Sequence, residues 1–345
     1  MQSYRTTGGI LLTTMRKHLR QYFFWPAIIA ISLFIGVWLK MGTAAFFLVV
    51  ILSILEVTLS FDNAVVNARI LKKMTLQWQR RFLTWGILLA VFGTRFVLPI
   101  LIVSIAVFAS PLYITKLAFT DPQAYSHLLE GVHGLITAFG GTFLLMVSLK
   151  YFFDKAKSVH WIQVIEKHLV RWGHIEAIEI AIALILLIGV SYITTYSQTE
   201  VLLAGIIGLI LFILMEGVAG SLSIESNDIA QGGLSLFLYL NILDSAFSLD
   251  GVVGAFALTS NLLIIMIGLG IGAYFVRSLT VYFVRENTLS ELIYLEHGAH
   301  WAIFGLSLAM FTNLIVHVPE ILTGLIGLVF VIFAYISSRR EKQTH

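Results

Sequence analysis

The chain has 345 residues, of which 58% are hydrophobic and 12% charged, with a mean hydropathy of +0.91. Soluble domains carry roughly 25% charged residues, so this composition excludes an ordinary soluble protein and places the chain in a membrane. No Cys is present, which excludes a disulfide framework, a thiolate zinc or copper site and a Cys nucleophile, while a net charge of +3 says less than the distribution of that charge.

The N-terminal residues include Arg5, Arg16, Lys17, His18 and Arg20. They precede an apolar run over 22–39 that is long for a signal peptide and lacks a good small-residue cleavage site after it. The run is therefore expected to persist as a first membrane helix. Further apolar segments follow at 44–66, 82–108, 131–153, 177–197, 201–217, 234–257, 261–284, 299–315 and 320–337. Most approach the ~20 residues a spanning helix requires. Continuous apolar runs, rather than alternation over about 10 residues, argue against a membrane β-barrel. The expected fold is all-α: a polytopic membrane protein of about ten helices.

Lys and Arg collect in the N-terminal tail, in 67–81 (Arg69, Lys72, Lys73, Arg80, Arg81), in 154–176 (Lys155, Lys157, Lys167, Arg171) and in the tail after Ser338. The connections 40–43, 109–130, 198–200 and 314–319 hold only Lys40 and Lys116. Ten spans put every basic segment on one side, which the positive-inside rule makes cytoplasmic. Only 218–233, with Glu225 and Asp228 and no basic residue, breaks the pattern. The expected organisation is a cytoplasmic tail (1–21), a first membrane half (22–197), a second half (198–337) and a cytoplasmic tail (338–345). The expected location is an inner, plasma membrane of bacterial type.

Two stretches inside these spans resemble each other: Glu56-Val-Thr-Leu-Ser60-Phe-Asp62-Asn63 and Asp244-Ser-Ala-Phe-Ser248-Leu-Asp250-Gly251. A carboxylate in hydrocarbon costs roughly 2.5–3.5 kcal/mol even on the lenient insertion scale, so four in a repeated pattern need a reason. The first motif lies on helix two and the second on helix seven, which run in opposite directions. Helices three and eight each carry a deep arginine, Arg95 and Arg277. The pattern predicts an inverted-topology repeat of two five-helix halves, an architecture that places the site at the bilayer midplane.

On an ideal helix Glu56, Ser60, Asn63 and Asn67 form one stripe. Asp62 and Asp250 lie about 240° around from the first acid of each motif. They reach the same site only if the helices unwind near Ser60-Phe61 and Ser248-Leu249, or they serve successive positions along a path. Carboxylates, hydroxyls and an amide make an oxygen shell that suits Mg²⁺, Ca²⁺ or Mn²⁺. The expected ligands are Glu56, Asp62, Asp244, Asp250, Ser60, Ser248 and Asn63. Arg95, Arg277 and Asn241 are expected to balance charge or gate. Crowded acids that hold protons when the metal leaves would give metal–proton exchange.

Other polar residues carry less. Glu130, Glu216 and Glu296 fall near helix ends, as do His133, His297, His300 and His317. Glu296-His297-Gly-Ala-His300 lacks the His-Glu-x-x-His order of a zinc protease. Gly140-Gly141 and Gly268-Leu-Gly270-Ile-Gly272 read as close helix packing. The basic segments mark topology and anionic lipid, and nothing points to nucleic acid.

Around Glu56-x-x-Leu-Ser60-Phe-Asp62-Asn63-Ala and Leu243-Asp244-Ser-x-Phe-Ser248-Leu-Asp250-Gly-Val, the sequence resembles the TerC-type integral membrane family, named for tellurium resistance, within the lysine-exporter-like transporters. The resemblance extends over about 44–337, including Trp85-Gly86, Arg95, Thr259-Ser260-Asn261, Arg277-Ser-Leu and Gly298-Ala-His300-Trp. It implies metal-ion efflux, with manganese as the first substrate to test and Glu56, Asp62, Asp244 and Asp250 in the transport site. The chain departs from shorter members in its helices at 22–39 and around 177–217. The expected function is that of a secondary transporter exporting a divalent cation, Mn²⁺ foremost and Ca²⁺ or Mg²⁺ as alternatives, in exchange for protons. The rival expectation is a membrane protein that delivers metal to secreted enzymes or scaffolds a complex. No nucleophile–base pair or nucleotide motif appears, so an enzyme is not expected.

Overall fold

The computed structural model describes residues 3–225, 229–286 and 288–344; side chains are described from residue 21 onward, apart from 83, 218–232, 249, 250, 257, 287, 290, 320, 321, 324 and 343–345. The described chain is all-helical. Helix α1 (Ser3–Leu59) is two helices merged at Gly42, whose φ of 86° lies in the left-handed region that glycine adopts without a Cβ penalty. The break falls in the connection expected between helices one and two. Helix α2 (Phe61–Leu71) continues after a single non-helical residue, Ser60.

Helix α3 (Leu76–Leu88) passes into a π-helix over Leu89–Val97, and α4 (Leu98–Ala106) completes the rod. The connection after it folds as two short helices, α5 (Pro111–Thr120) and α6 (Pro122–Gly131). Their buried Ile114, Ala118, Tyr125 and Leu129 pack into the core beside α4. Helix α7 (His133–Phe152) is buried along most of its length, and α8 (Gln163–Trp172) lies in the basic 154–176 segment. Then come α9 (Ile178–Ile193), α10 (Gln198–Glu225), α11 (Ile229–Leu258), α12 (Leu262–Arg285), the short α13 (Thr288–Glu291), α14 (Leu295–Asn313) and α15 (Glu320–Thr344).

Each expected apolar segment falls on a helix. Among the described residues five stretches are long and apolar enough to cross a membrane: Gln21–Leu59, Leu76–Ala106, His133–Phe152, Gln198–Gly217 and Leu262–Arg285. Ile178–Ile193 and Gly233–Ser248 are shorter apolar helices. Many large apolar side chains on α1, α9, α10 and α15 face outward, as lipid-facing surfaces require.

Small residues set the close approaches. The second part of α1 packs along α12, where a Cβ at Gly272 would lie 2.5 Å from Glu56 Cβ and one at Gly268 would lie 2.6 Å from Leu52 Cβ. Ser53 Oγ donates to Gly268 O at 3.0 Å across this contact. Gly140 and Gly141 of α7 meet Met310 and Phe311 of α14 in the same way. Helices meeting over glycine gain dispersion contact where lipid offers no hydrophobic drive between them. The two largest apolar clusters among the described residues lie one around α7, α10, α11 and α14 and the other around α1, α4 and α12. The polar residues discussed next occupy the ground between them.

Candidate functional site

The site begins with a local break in a helix. Ser60 has φ −104° and ψ 14°, so the polar stripe is interrupted where the sequence required unwinding. Hydrogen bonds from Ser60 N to Glu56 O (3.0 Å) and from Ala64 N to Ser60 O (3.1 Å) carry the chain across. Helix α11, in contrast, runs unbroken through Ser248 and Leu249.

Glu56 is 1% exposed, and its carboxylate pairs with the guanidinium of Arg95, itself 1% exposed. Ser60 Oγ donates to the same Glu56 Oε1 at 2.9 Å. Arg95 also donates from Nη2 to Ser248 Oγ at 3.3 Å and from Nη1 to the carbonyl of Ala90. Asp244 repeats the arrangement. Arg277 Nη2 donates to Asp244 Oδ2 at 2.9 Å, and Asn63 Nδ2 donates to Asp244 Oδ1 at 2.7 Å. The Arg277 guanidinium lies 3.9 Å from the centre of the Phe82 ring. Gly86 makes room for it, since a Cβ there would meet Arg277 Nη1 at 2.7 Å.

Each motif's first acid is therefore neutralised by the arginine that follows it in sequence; Asn63 to Asp244 joins the two motifs directly, and Arg95 to Ser248 ties the first arginine to the second motif. Asn67 and Thr280 complete the lining, which is too tight to admit a water molecule. Buried charges at this depth persist only when paired and hydrogen-bonded. Here both acids meet that condition.

The other expected ligands lie differently. Asp62 is buried, yet its carboxylate faces away from this network: a Cβ at Gly327 of α15 would lie 3.8 Å from its Oδ2. The break at Ser60 does not bring Asp62 round to Glu56. The side chain of Asp250 lies outside those described. Asn241 donates to Phe237 O at 2.7 Å and receives no bond at its Oδ1, while Ser245, one turn on, bonds Asn241 O and Thr94 Oγ1. Among the described residues no three carboxylates or histidines come together. The buried side-chain atoms without a partner include Asp62 Oδ1, Asn63 Oδ1, Asn67 Oδ1 and Asn241 Oδ1. These are acceptor oxygens, which a cation could satisfy.

A cavity of about 590 Å³ approaches the network from the basic end. Arg69, Lys73, Lys150, Lys155, Glu179, Glu216 and Tyr239 are among its walls. Asn67 lines the network and its neighbours Val66, Arg69 and Ile70 line the cavity, so both border the same turn of α2. Lys150 Nζ pairs with Glu216 Oε1 at 2.9 Å.

Sequence reasoning missed a second hub. Glu166 of α8 is fully buried. It pairs with Lys157 Nζ at 2.9 Å and accepts from His297 Nδ1 and Trp301 Nε1, each at 2.9 Å. Burial alone would raise its carboxyl pKa, but the hydrogen bonds from His297 and Trp301 and the pairing with Lys157 together hold it well below the usual range. The hub ties the basic 154–176 segment to α14. Around it His300 stacks on Tyr151 at 3.6 Å, and Glu296 pairs with Arg69. The available signal was a lone acid, with a neighbouring Trp-Ile pair, on a helix whose other charges are basic. Glu130 and His127 remain at the surface, and His133 lies against Asn313 and Tyr196.

No curated protein and no solved structure matches the chain. One family profile does, over residues 61–345, a range that takes in Asp62, Asn63, Arg95, the second acidic motif and Arg277. The chain thus belongs to the family described as "Protein of unknown function (DUF475)".

Proposed function

We propose that this protein is a secondary transporter that exports a divalent metal cation, with Mn²⁺ the first candidate, in exchange for protons. In this reading ten helices span the membrane as two inverted halves, both termini are cytoplasmic and the membrane is an inner, plasma membrane of bacterial type. The resemblance to the TerC-type family favours the same cargo.

One observation carries the reading. Two buried acid–arginine pairs, Glu56–Arg95 and Asp244–Arg277, meet where the two acidic motifs touch through Asn63 and Asp244. Plain structural glue needs one pair, whereas a duplicated pair joined across two motifs makes a charge-balanced site that can trade one cation for another. By sequence the two motifs hold four carboxylates and the helices that follow them two deep arginines, an excess of two negative charges. A divalent cation or two protons would cancel it, and both cost less to carry through hydrocarbon than bare charge. Arg95 and Arg277 then act as tethered substitutes that keep Glu56 and Asp244 neutralised between cargoes. Binding requires each guanidinium to yield its acid, and the Ser60, Ser248 and Asn63 oxygens to turn toward the ion. The cavity lined by Arg69, Lys150 and Glu216 supplies a wet approach from the cytoplasmic side.

Purified protein in liposomes tests this. With an imposed pH gradient, Mn²⁺ uptake is expected in wild type and is expected to fall at least about a hundredfold in Glu56→Gln and Asp244→Asn, the scale of losing a paired ligand (~3 kcal/mol). Uptake indifferent to both substitutions would contradict the proposed site, and uptake indifferent to the pH gradient would contradict exchange.

A further inference from the structure

The π-helix Leu89–Val97 carries Thr94 and Arg95, and among the described residues it has no counterpart on the other side of the site. Arg277 sits in α12, which is a regular α-helix from Leu262 to Arg285. π-Helical turns are rare and found frequently at functional sites. This one is held by the same side chains that serve the site. Arg95 Nη1 donates to the carbonyl of Ala90, and Thr94 Oγ1 donates to the carbonyl of Leu89 at 3.4 Å. Thr94 Oγ1 also lies 3.0 Å from Ser245 Oγ, next to Asp244.

Resting on the transport reading above, we propose that this π-helix is the moving part of the site: it holds Arg95 on Glu56 when no cation is bound, and rewinding to α-geometry withdraws Arg95 when the cation arrives. A π-turn holds surplus residues relative to 3.6 per turn, so rewinding by one residue swings the residues beyond it by about 100°. That swing carries the Arg95 guanidinium off Glu56. The trigger follows from the bonds. A cation on Glu56 displaces Arg95 Nη2, and the displaced side chain no longer satisfies the Ala90 carbonyl. The π-turn thereby loses a side-chain bond that added to its five-residue backbone bonds, whereas α-geometry forms its four-residue bonds without one. Arg277 has no such device, so Asp244 is the fixed half of the site and Glu56 the half that opens.

The chain has no native Cys, which makes a disulfide staple clean. In Thr94→Cys/Ser245→Cys the two sulfurs replace hydroxyls already in contact, so oxidation pins the π-helix to α11. In liposomes the Mn²⁺ uptake of the reduced double variant sets the reference rate. Oxidation is expected to slow uptake at least about tenfold, with recovery on adding dithiothreitol, because the competent state is then depopulated by that factor. In an added Arg95→Gln background the staple is expected to change uptake less than about twofold, since Glu56 is already free. Full uptake by the oxidised protein, or equal inhibition with and without Arg95, would overturn the inference. Should the triple variant not fold, the rate of disulfide closure in the double variant decides: saturating Mn²⁺ is expected to slow it, and an unchanged rate would overturn the inference. No uptake by wild type would instead overturn the transport reading, and this inference with it.

Discussion

The two acidic motifs look alike in sequence and are built differently. Glu56 stands just before a break at Ser60, and its partner Arg95 comes from a π-helix. Asp244 sits in an unbroken 30-residue helix, and its partner Arg277 comes from a regular one. Both pairs reach the same electrostatic end, a buried carboxylate neutralised by a buried guanidinium. The difference lies in how much regular backbone hydrogen bonding holds each pair in place. Irregular backbone at membrane depth survives only where it is buried in protein or lines a cavity, and the irregular stretches at Ser60 and Leu89–Val97 both adjoin the Glu56–Arg95 pair. A duplicated motif with one rigid and one yielding copy can hold a frame of reference while the other half moves.

The sharpest way to break this comparison is to remove single partners. Glu56→Gln leaves Arg95 buried and unpaired, and Asp244→Asn does the same to Arg277. Each is expected to lower unfolding stability in detergent by about 3–5 kcal/mol, measured by thermal or denaturant unfolding. Glu56→Gln/Arg95→Gln is expected to recover most of that stability while transport stays lost, because shape returns and ligand charge does not. Recovery of transport by the double variant would sink the assigned role of Glu56.

A second, somewhat smaller effect concerns packing behind the yielding half. A Cβ at Gly272 would lie 2.5–2.6 Å from the Glu56 side chain and 2.8 Å from Ser53 O. Gly272→Ala must therefore push α1 and α12 apart, at a cost of about 1–3 kcal/mol, and is expected to weaken Mn²⁺ binding through Glu56. Gly251→Ala on the rigid half meets only ordinary contacts, 3.7 Å or more away, and is expected to change little. Equal losses at both glycines would remove the distinction between the halves.

The Glu166 hub gives a pH-dependent control away from both motifs. Its folded pKa lies below the ordinary range of a glutamate, so the folded state binds fewer protons than the unfolded one at that carboxyl. Its contribution is fully present above the unfolded value and fades as pH falls through it toward the folded one. Glu166→Gln is expected to destabilise by about 2–3 kcal/mol at pH 7, with the gap to wild type narrowing as unfolding is followed from pH 6 down to about 4. A gap that widens on acidification would contradict the hub.

The smallest effect separates the two serines. Ser60 donates to Glu56 directly, whereas Ser248 touches Arg95 at 3.3 Å. Ser60→Ala is expected to cost about 1 kcal/mol of stability and Ser248→Ala less, by denaturant unfolding. The reverse order would mean that Arg95 depends more on α11 than on Glu56.

Much of this was legible in the residues. Unbroken apolar runs gave the helices, and the break at Gly42 falls in the 40–43 connection expected between the first two. Gly268 and Gly272 announced a close helix contact that the structure places behind Glu56. The duplicated spacing singled out Glu56, Ser60, Asn63, Asp244 and Ser248, and these do converge. What stayed hidden depends on backbone detail that side-chain periodicity cannot encode. A π-helix differs from an α-helix by a change of register that leaves composition untouched, so Leu89–Val97 read as ordinary apolar helix. The direction of Asp62 follows from the angle of a one-residue break, which turned it toward Gly327 instead of Glu56. Glu166 was masked by its basic neighbours, because its partners His297 and Trp301 come from more than 130 residues away.

The most direct measurement of the central claim is equilibrium Mn²⁺ binding to the purified protein, followed by the loss of the free-ion electron paramagnetic resonance signal. If cation and arginine compete for the same acids, Arg95→Gln binds Mn²⁺ more tightly than wild type while Glu56→Gln and Asp244→Asn bind it far more weakly. Affinity that is unchanged across all three variants, or weaker in Arg95→Gln, would contradict the account.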